Sequence, residues 1–329
     1  MTIQRRKILS TTAGILGACA LGVSTLASAA GYPEKPVTIY VGFSAGGPTD
    51  IVARVLAEKL TQKFGQSFII DNRVGASGAV AANQVKKANP DGYTLMIGSS
   101  STLSIIPFVQ KGVQYDAIKD FTPIGLVASY PYYLVVPPDS KFKTYDELVA
   151  FGRQKDQQLT YASAGNGAVN HLAGEWFKGD TGINSLHVPY KGDSAAITDL
   201  VAGRVDFAFL AGVVAIPQVT AGKLRILASA SSSPDKGPKN TLVLGQQKLP
   251  GFAAEPWNGL MGPAGLPADV VTKLNAAVNE IMSNPDVKAK LLTLDQYPFT
   301  GTPQQFSDYI QKQSAHWAGV IKKSNIVLE

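Results

Sequence analysis

The chain has 329 residues, 45% hydrophobic and 16% charged, with 30 basic residues, 24 acidic residues and a single cysteine. That length allows one or two domains with a sizeable core, and the composition excludes a disulfide scaffold, a thiolate metal site and a disordered chain. The net charge of +6 falls to +3 once residues 1–29, with three basic and no acidic side chains, are set aside, too small a surplus to argue for nucleic acid or an anionic membrane as partner.

Residues 1–29 read as a signal peptide. Arg5-Arg6-Lys7 forms a cationic start, and Ile15–Leu26 is apolar but too short and too rich in Gly and Ser to span a membrane. Ala27-Ser28-Ala29 is an A-x-A site, which places cleavage after Ala29 or Ala30 and the mature protein in the periplasm. Arg5-Arg6 before Ile8-Leu9 suits twin-arginine and general export alike. Leu16-Gly17-Ala18-Cys19 resembles a lipobox, but the apolar run continues past it to the A-x-A site. The only cysteine leaves with the leader, so the mature chain relies on its core.

The mature chain begins with a strand, Val37–Val41, alternating apolar and polar. Ser44-Ala45-Gly46-Gly47-Pro48-Thr49-Asp50 turns into a helix whose Ile51, Val52, Val55, Leu56 and Leu60 recur at helical spacing. Pro48 suits the first helical position and Asp50 the third. The glycines permit a tight turn and close approach of a ligand, and unpaired N–H groups at such a helix start attract anions. Ser67–Asp71 is a second strand. Gly75-Ala76-Ser77-Gly78 opens a helix over Ala79–Ala88, and Tyr93–Ile97 is a third strand ending in Gly98–Thr102. Strand, helix, strand twice over predicts a parallel sheet, with ligands at the carboxyl ends of the strands.

Ile124–Val136 is a long extended run broken by Pro131, which predicts passage from one domain to another. Thr144 with Glu147 is a capping box for a helix over Tyr145–Arg153. A second series follows: strand Leu159–Ser163, helix Val169–Lys178, strand Leu186–Pro189, helix Asp193–Ala202, strand Val205–Leu210, a short helix near Ile216–Ala221 and strand Leu224–Ala230. Trp257–Met261 returns to the first domain. Helices over Ala268–Met282, Pro285–Leu292 and Gln304–Lys323 close the chain. The predicted division is lobe 1 from 30–128 plus 256–329 and lobe 2 from 129–255, hinged near Val127–Tyr130 and Ala254–Asn258.

Tyr161-Ala162-Ser163-Ala164-Gly165-Asn166-Gly167-Ala168-Val169-Asn170-His171 mirrors the opening turn. Two such turns on separate α/β lobes can face each other across a cleft. They offer amides and hydroxyls without concentrated side-chain charge, which suits a small anion and better still a dianion with a carboxylate at each end.

At these residues the sequence resembles a known family. F-S-A-G-G-P-T-D, D-N-R-V-G-A-S-G, N-P-D-G-Y-T-L, K-D-F-T-P-I-G-L-V, Y-A-S-A-G-N-G, H-L-A-G-E, H-V-P-Y-K-G, G-R-V-D-F-A-F, A-G-K-L-R-I-L-A and G-P-A-G-L-P stand in order from Phe43 to Pro267. They resemble the extracytoplasmic receptors of tripartite tricarboxylate transporters, the Bug receptors. The resemblance implies a two-lobed, type II-like periplasmic binding fold: two parallel or mixed sheets flanked by helices, hinged on two crossing strands. It implies a monomeric receptor without cofactor, metal or catalysis that hands a small organic carboxylate to integral-membrane transporter subunits. The ligand residues it implies are Phe43, Ser44, Ala45, Gly46, Gly47, Thr49 and Asp50 in the first loop. In the second loop they are Ser163, Gly165, Asn166, Gly167, Asn170 and His171. Ser99 and Ser100 add hydroxyls, with Tyr190 and Asp206 near the cleft. Gly98–Leu103 lacks the family's Thr-His pair, and Asn240–Gln247 departs from its usual loop.

Plainer roles stand beside these: Asp50 and Asn170 as helix caps, Asp206 paired with a neighbour, His171 satisfied in its helix and Trp257 in packing. Two other functions are weighed. An exported α/β hydrolase would use Ser163 in Ala162-Ser163-Ala164-Gly165, a near miss of G-x-S-x-G, with one of His171, His187 or His316. A ligand sensor would hand its signal to a sensor-kinase ectodomain instead of a permease. There is no P-loop, no G-x-G-x-x-G and no H-E-x-x-H.

Overall fold

The computed structural model describes residues 31–110 and 112–323; the leader, with Cys19 and the expected cleavage site, lies outside the described residues. Alternation at Val37, Ile39 and Val41 buries all three side chains completely in β1 (Val37–Val41). The helix α1 (Pro48–Phe64) has Gly47 as its N-cap and Pro48 at its first position, and Gly65 ends it in the left-handed conformation. Then come β2 (Phe68–Asn72), one 3₁₀ turn at Ala76–Gly78, α2 (Ala79–Lys86) and β3 (Thr94–Ser99). β1 lies parallel between β2 and β3, as two right-handed crossovers require. Beyond β3, Ser101–Ile105 form a wide π-helical turn that runs into α3 (Ile106–Val109), where the sequence reading has only a turn.

The long extended run divides at Tyr130-Pro131 into β4 (Phe121–Ser129) and β5 (Tyr132–Val136), one in each sheet. α4 (Tyr145–Gly152) starts on the expected capping box, with Glu147 N donating to Thr144 Oγ1 at 3.2 Å and Thr144 N to Glu147 Oε2 at 3.2 Å. The second series is β6 (Leu159–Ser163), α5 (Val169–Thr181), β7 (Ser185–Pro189), α6 (Asp193–Val201), β8 (Phe207–Ala211), α7 (Gly212–Thr220), β9 (Arg225–Ser229) and α8 (Leu244–Gln247). The chain then returns through β10 (Trp257–Pro263), α9 (Ala268–Ser283), α10 (Pro285–Thr293), β11 (Tyr297–Pro298) and α11 (Pro303–Lys323).

The first sheet has the order β11-β4-β10-β3-β1-β2 and the second β7-β6-β8-β5-β9. Both are mixed. β10 runs antiparallel to β3 and β4, and β5 runs antiparallel to β8 and β9. Each sheet is covered on both faces by helices, with Leu56 and Leu274 in one core and Phe177 and Phe209 in another.

The chain passes between the sheets at Ser129–Tyr132 and again at Ala254–Trp257. The passages run side by side, Tyr130 N donating to Pro256 O at 3.0 Å and Tyr132 N to Ala254 O at 3.2 Å. A third connection is made by side chains. The expectation assigns 256–329 wholly to lobe 1, yet α11 spans both lobes. Its Phe306 and Ile310 pack with Trp257 and Met261, whereas Trp317 and Val320 pack in the second core, Trp317 edge-on to Trp176 at 6.5 Å. Trp257 is fully buried and packs edge-on to Phe306 at 5.5 Å, a core role and not a cleft one. Among the described residues no helix is long and apolar enough to cross a membrane.

Candidate functional site

A cleft opens where the carboxyl ends of β1 and β3 meet the turn after β6 and the start of α6. Its first wall is the loop that the sequence singled out: Phe43, Ser44, Gly47, Pro48 and Thr49 line it. Gly46 holds φ +77°, which a glycine adopts without strain. No side chain caps α1, so its first amides have no side-chain acceptor. Ala45 and Gly46 are not lining residues; they shape the turn, and Ala45 offers its carbonyl to Ser194 Oγ at 3.1 Å.

Asp50 stands behind this wall. Its carboxylate is buried and turned away from the cleft, accepting from Arg54 Nε at 2.8 Å, Asn72 Nδ2 at 2.8 Å and Gly46 N at 2.9 Å. Burial alone would push this carboxyl up, but Arg54, the Gly46 amide and Asn72 together hold it below its usual range. Asn72 Nδ2 also donates to Phe43 O at 3.0 Å. Asp50 therefore fixes the loop.

The end of β3 supplies Ser99, Ser100 and Ser101. Ser99 Oγ lies 3.0 Å from Thr102 Oγ1, Ser100 Oγ accepts from Trp257 N at 3.3 Å, and Ser101 Oγ accepts from Val169 N at 3.1 Å across the lobes. The Thr102 hydroxyl gives its proton to Ser77 O at 3.0 Å, so Ser99 Oγ donates to Thr102, and it is the Ser100 and Ser101 hydroxyls that remain free to donate toward the cleft.

The second turn behaves differently from its sequence twin. Of Ser163–His171 only Ala164 lines the cleft. Ser163 is inaccessible, its Oγ 2.5 Å from His187 Nε2 and donating to Gly165 O at 3.2 Å. His171 Nδ1 accepts from Gly167 N at 3.1 Å, and its ring stacks on His187 with centroids 3.7 Å apart. Burial, and then the neighbouring His187, push His171 down to about 3, and burial pushes His187 down to about 4. Both rings are neutral at pH 7. Asn170 is wholly buried; its Oδ1 accepts from Ala164 N at 3.0 Å and its Nδ2 donates to Asp193 Oδ1 at 2.8 Å. Ser163, Gly167, Asn170 and His171 thus spend their polar atoms on the turn itself and on β7, α6 and β8 beside it.

Gly165, Asn166 and Tyr190 line an adjoining opening of about 360 Å³ between the lobes, which shares Phe43 and Ala164 with the cleft. There Ser77 Oγ donates to Asn166 O at 2.7 Å from the opposite lobe, and the Tyr190 hydroxyl donates to Asp199 at 2.7 Å. Asp206 lines neither of these openings. Its carboxylate accepts from Thr160 N at 2.7 Å and Thr160 Oγ1 at 2.9 Å, at the end of β6 opposite Ser163. It precedes β8, so strand polarity puts it away from the cleft.

The sequence reading missed Tyr130, Tyr132, Gly192, Asp193 and Pro256, all of which line the cleft. The tyrosines flank Pro131 in the first passage, so their rings stand at the hinge. Gly192 and Asp193 open α6 just after β7 ends, a strand–Gly–helix start like the other two. Asp193 is 2% exposed, and burial pushes its carboxyl up to about 7, the Ala211 amide and Asn170 offsetting part of this.

The lobes touch beside this cleft. Ser44 Oγ and Ser194 Oγ are 2.8 Å apart, and Ser44 N donates to Lys191 O at 3.4 Å. The inner cleft has a volume of about 20 Å³, room for roughly one water. A larger solute enters only when the lobes part. Among the described residues no three His, Cys, Asp or Glu side chains are placed to hold a metal. The Ser163–His187 pair does not make a hydrolase site: the hydroxyl is inaccessible, and burial leaves His187 too weak a base at neutral pH.

A family model described as "Tripartite tricarboxylate transporter family receptor" matches residues 52–326. Protein BugT of Bordetella pertussis is 31% identical over 94% of this chain and 95% of its own length. Among solved structures, R. palustris Rpa4515 with adipate has a TM-score of 0.86 at 32% identity, covering 90% of this chain and 99% of its own. MatC (Rpa3494) of Rhodopseudomonas palustris with bound malate has a TM-score of 0.83 at 30% identity, covering 88% and 100%.

Proposed function

The chain belongs to the tripartite tricarboxylate transporter receptor family, and from that premise we propose that it captures a small organic carboxylate between its lobes and delivers it to integral-membrane transporter subunits. The observation that carries the reading is the first wall: an uncapped helix start and three successive serine hydroxyls converge on one cleft at strand carboxyl ends. Amides and hydroxyls bind a carboxylate directionally and leave it chemically unchanged. Ser44, Ser100, Ser101 and the first amides of α1 are the contacts assigned here, with Gly165, Asn166 and Tyr190 at the entrance. The relatives solved with adipate and malate support this ligand class.

Lobe 1 (30–128 with 256–329) and lobe 2 (129–255) turn about the paired passages, and the ligand favours closure by touching both walls. α11 bends or slides with this motion because it packs on both. The chain works as a monomer in the periplasm after cleavage at Ala29 or Ala30.

Thermal melting and calorimetry against a panel of small organic acids test the reading. A true ligand at 100 times its Kd stabilises the fold by about 2.7 kcal/mol, and Ser44→Ala then weakens binding with little change in the melting point of the free protein. A panel in which no acid binds contradicts the reading.

A further inference from the structure

Asp193 is an anomaly in a cleft built for anions. It is 2% exposed and lines the innermost part, yet the cleft walls hold no Lys, Arg or His. An ionised carboxylate has about four acceptor sites. Asp193 Oδ1 accepts from Asn170 Nδ2 at 2.8 Å, and Oδ2 has only the distant Ala211 N at 3.5 Å. Acceptor capacity remains, in surroundings where an uncompensated charge is costly. Two tyrosines stand beside it, Tyr130 and Tyr132, each 3% exposed and set edge to face with centroids 5.8 Å apart. The field of Asp193 acts on both hydroxyls. A buried carboxyl next to aromatic rings is the chemistry that holds an ammonium group. The same carboxyl repels the far end of a dicarboxylate.

We propose that the solute is a carboxylate that also carries a cationic nitrogen, an amino acid or a betaine, with the cation held by Asp193 and the rings of Tyr130 and Tyr132. The solute carboxylate lies on Ser100 and Ser101 of the opposite wall, joined by Ser44 once opening of the lobes releases its hydroxyl from Ser194. This deepens the carboxylate reading and rests on it. It also replaces the dianion that the paired turns suggested, because one of the two walls is acidic at its centre. Asn170 is a positioning residue: one amide group joins the Ala164 turn to the Asp193 carboxylate.

The test is a matched panel measured by calorimetry on the full mature chain. Succinate, glutarate and adipate are compared with β-alanine, 4-aminobutyrate and 5-aminopentanoate, and malate with serine; proline and glycine betaine are added. The expected result is that at least one zwitterion binds about tenfold or more tighter than every dicarboxylate. Asp193→Asn, checked for an intact melting transition, then loses that preference and binds the dicarboxylates as well as or better than before. A wild-type protein that prefers a dicarboxylate overturns the inference and leaves the carboxylate reading standing. So does a zwitterion preference that survives in Asp193→Asn. If Asp193→Asn does not fold, the wild-type ranking decides alone. Binding of neither set overturns both readings.

Discussion

The two glycine-rich turns, Phe43–Asp50 and Ser163–His171, read alike along the chain and differ in space. The first points Ser44, Gly47 and Thr49 into the cleft and keeps its one charge, Asp50, behind the loop as a brace. The second turns most of its polar groups inward, Ser163 to His187, His171 to Gly167 and Asn170 to Asp193, and leaves Asn166 at the adjoining opening. Only Ala164 and the neighbouring backbone face the ligand space. Similar motifs therefore divide the labour, one presenting donors and the other bracing the helix start Gly192-Asp193 that forms the opposing wall. A polar residue in such a turn binds solute only if its hydrogen bonds are not already made within the protein.

The comparison breaks if the second turn proves dispensable for folding. Asn170→Ala leaves the Ala164 amide unpaired and the Asp193 carboxylate stripped of its nearest donor. Such a buried loss costs about 2–4 kcal/mol, so the melting point falls by several degrees at about 2–4 °C per kcal/mol. An unchanged melting point would mean that Asn170 is no brace.

Closure sharpens the contrast next. A Cβ on Gly192, held at φ +133°, would lie 2.4 Å from Ser44 Oγ in the opposite lobe. Gly192→Ala pushes the Ser44 hydroxyl off Ser194 and strains a positive-φ site, and should weaken binding about tenfold, equivalent to roughly 1.4 kcal/mol, while the separate lobes keep their cores. Gly46→Ala, at φ +77° with nothing within 4 Å, carries only the strain of a left-handed alanine, about 1–2 kcal/mol. Equal affinity losses in the two variants, read by calorimetry, would contradict the steric account.

Acid titration separates the scaffold from the wall. His171 and His187, pushed down to about 3 and 4, contribute stability that is complete above pH 6.5 and lost as pH falls toward 4. Asp193 and Asp295, pushed up by burial to about 7 and 6, act oppositely: the fold gains stability as pH falls from 7 toward 4. The wild-type melting point should therefore change little between pH 7 and 5. In Asp193→Asn one opposing contribution is gone, so stability is higher at pH 8 and falls more steeply on acidification. Parallel pH profiles for the two proteins would contradict this.

The smallest effect is the most local. Ser44→Ala or Ser101→Ala removes one donor and should lower affinity about three- to tenfold, in line with roughly 0.5–1.5 kcal/mol per hydrogen bond. Ser163→Ala should lower the melting point and change affinity little. A large affinity loss at a steady melting point in Ser163→Ala would restore the second turn as a ligand site.

Much of the fold was legible because local chemistry decides it. Thr144 with Glu147 fixes the start of α4, and Gly47-Pro48 that of α1. β11 carried no pattern, being two residues ending in Pro298. The sharing of α11 between lobes was hidden for a different reason: amphipathic spacing reports that a face is buried, not against which core Trp317 lies. In the site, the first wall was readable as donors at a strand end. Asp193 was not, because an acid in the first turn of a helix is ordinary, and only its burial beside Tyr130 and Tyr132 makes it unusual. Asp206 looked equally eligible, but its place before β8 sets it at the other end of the strands from the cleft.

The central claim is that the first wall, and not its twin, holds the carboxylate. A crystal structure with the tightest solute from the panel tests it most directly. The account predicts the solute carboxylate within hydrogen-bond distance of Ser44, Ser100 or Ser101, with Ser163 still on His187. A carboxylate held by Ser163 and the Gly165–Gly167 amides, with the first wall empty, would contradict it.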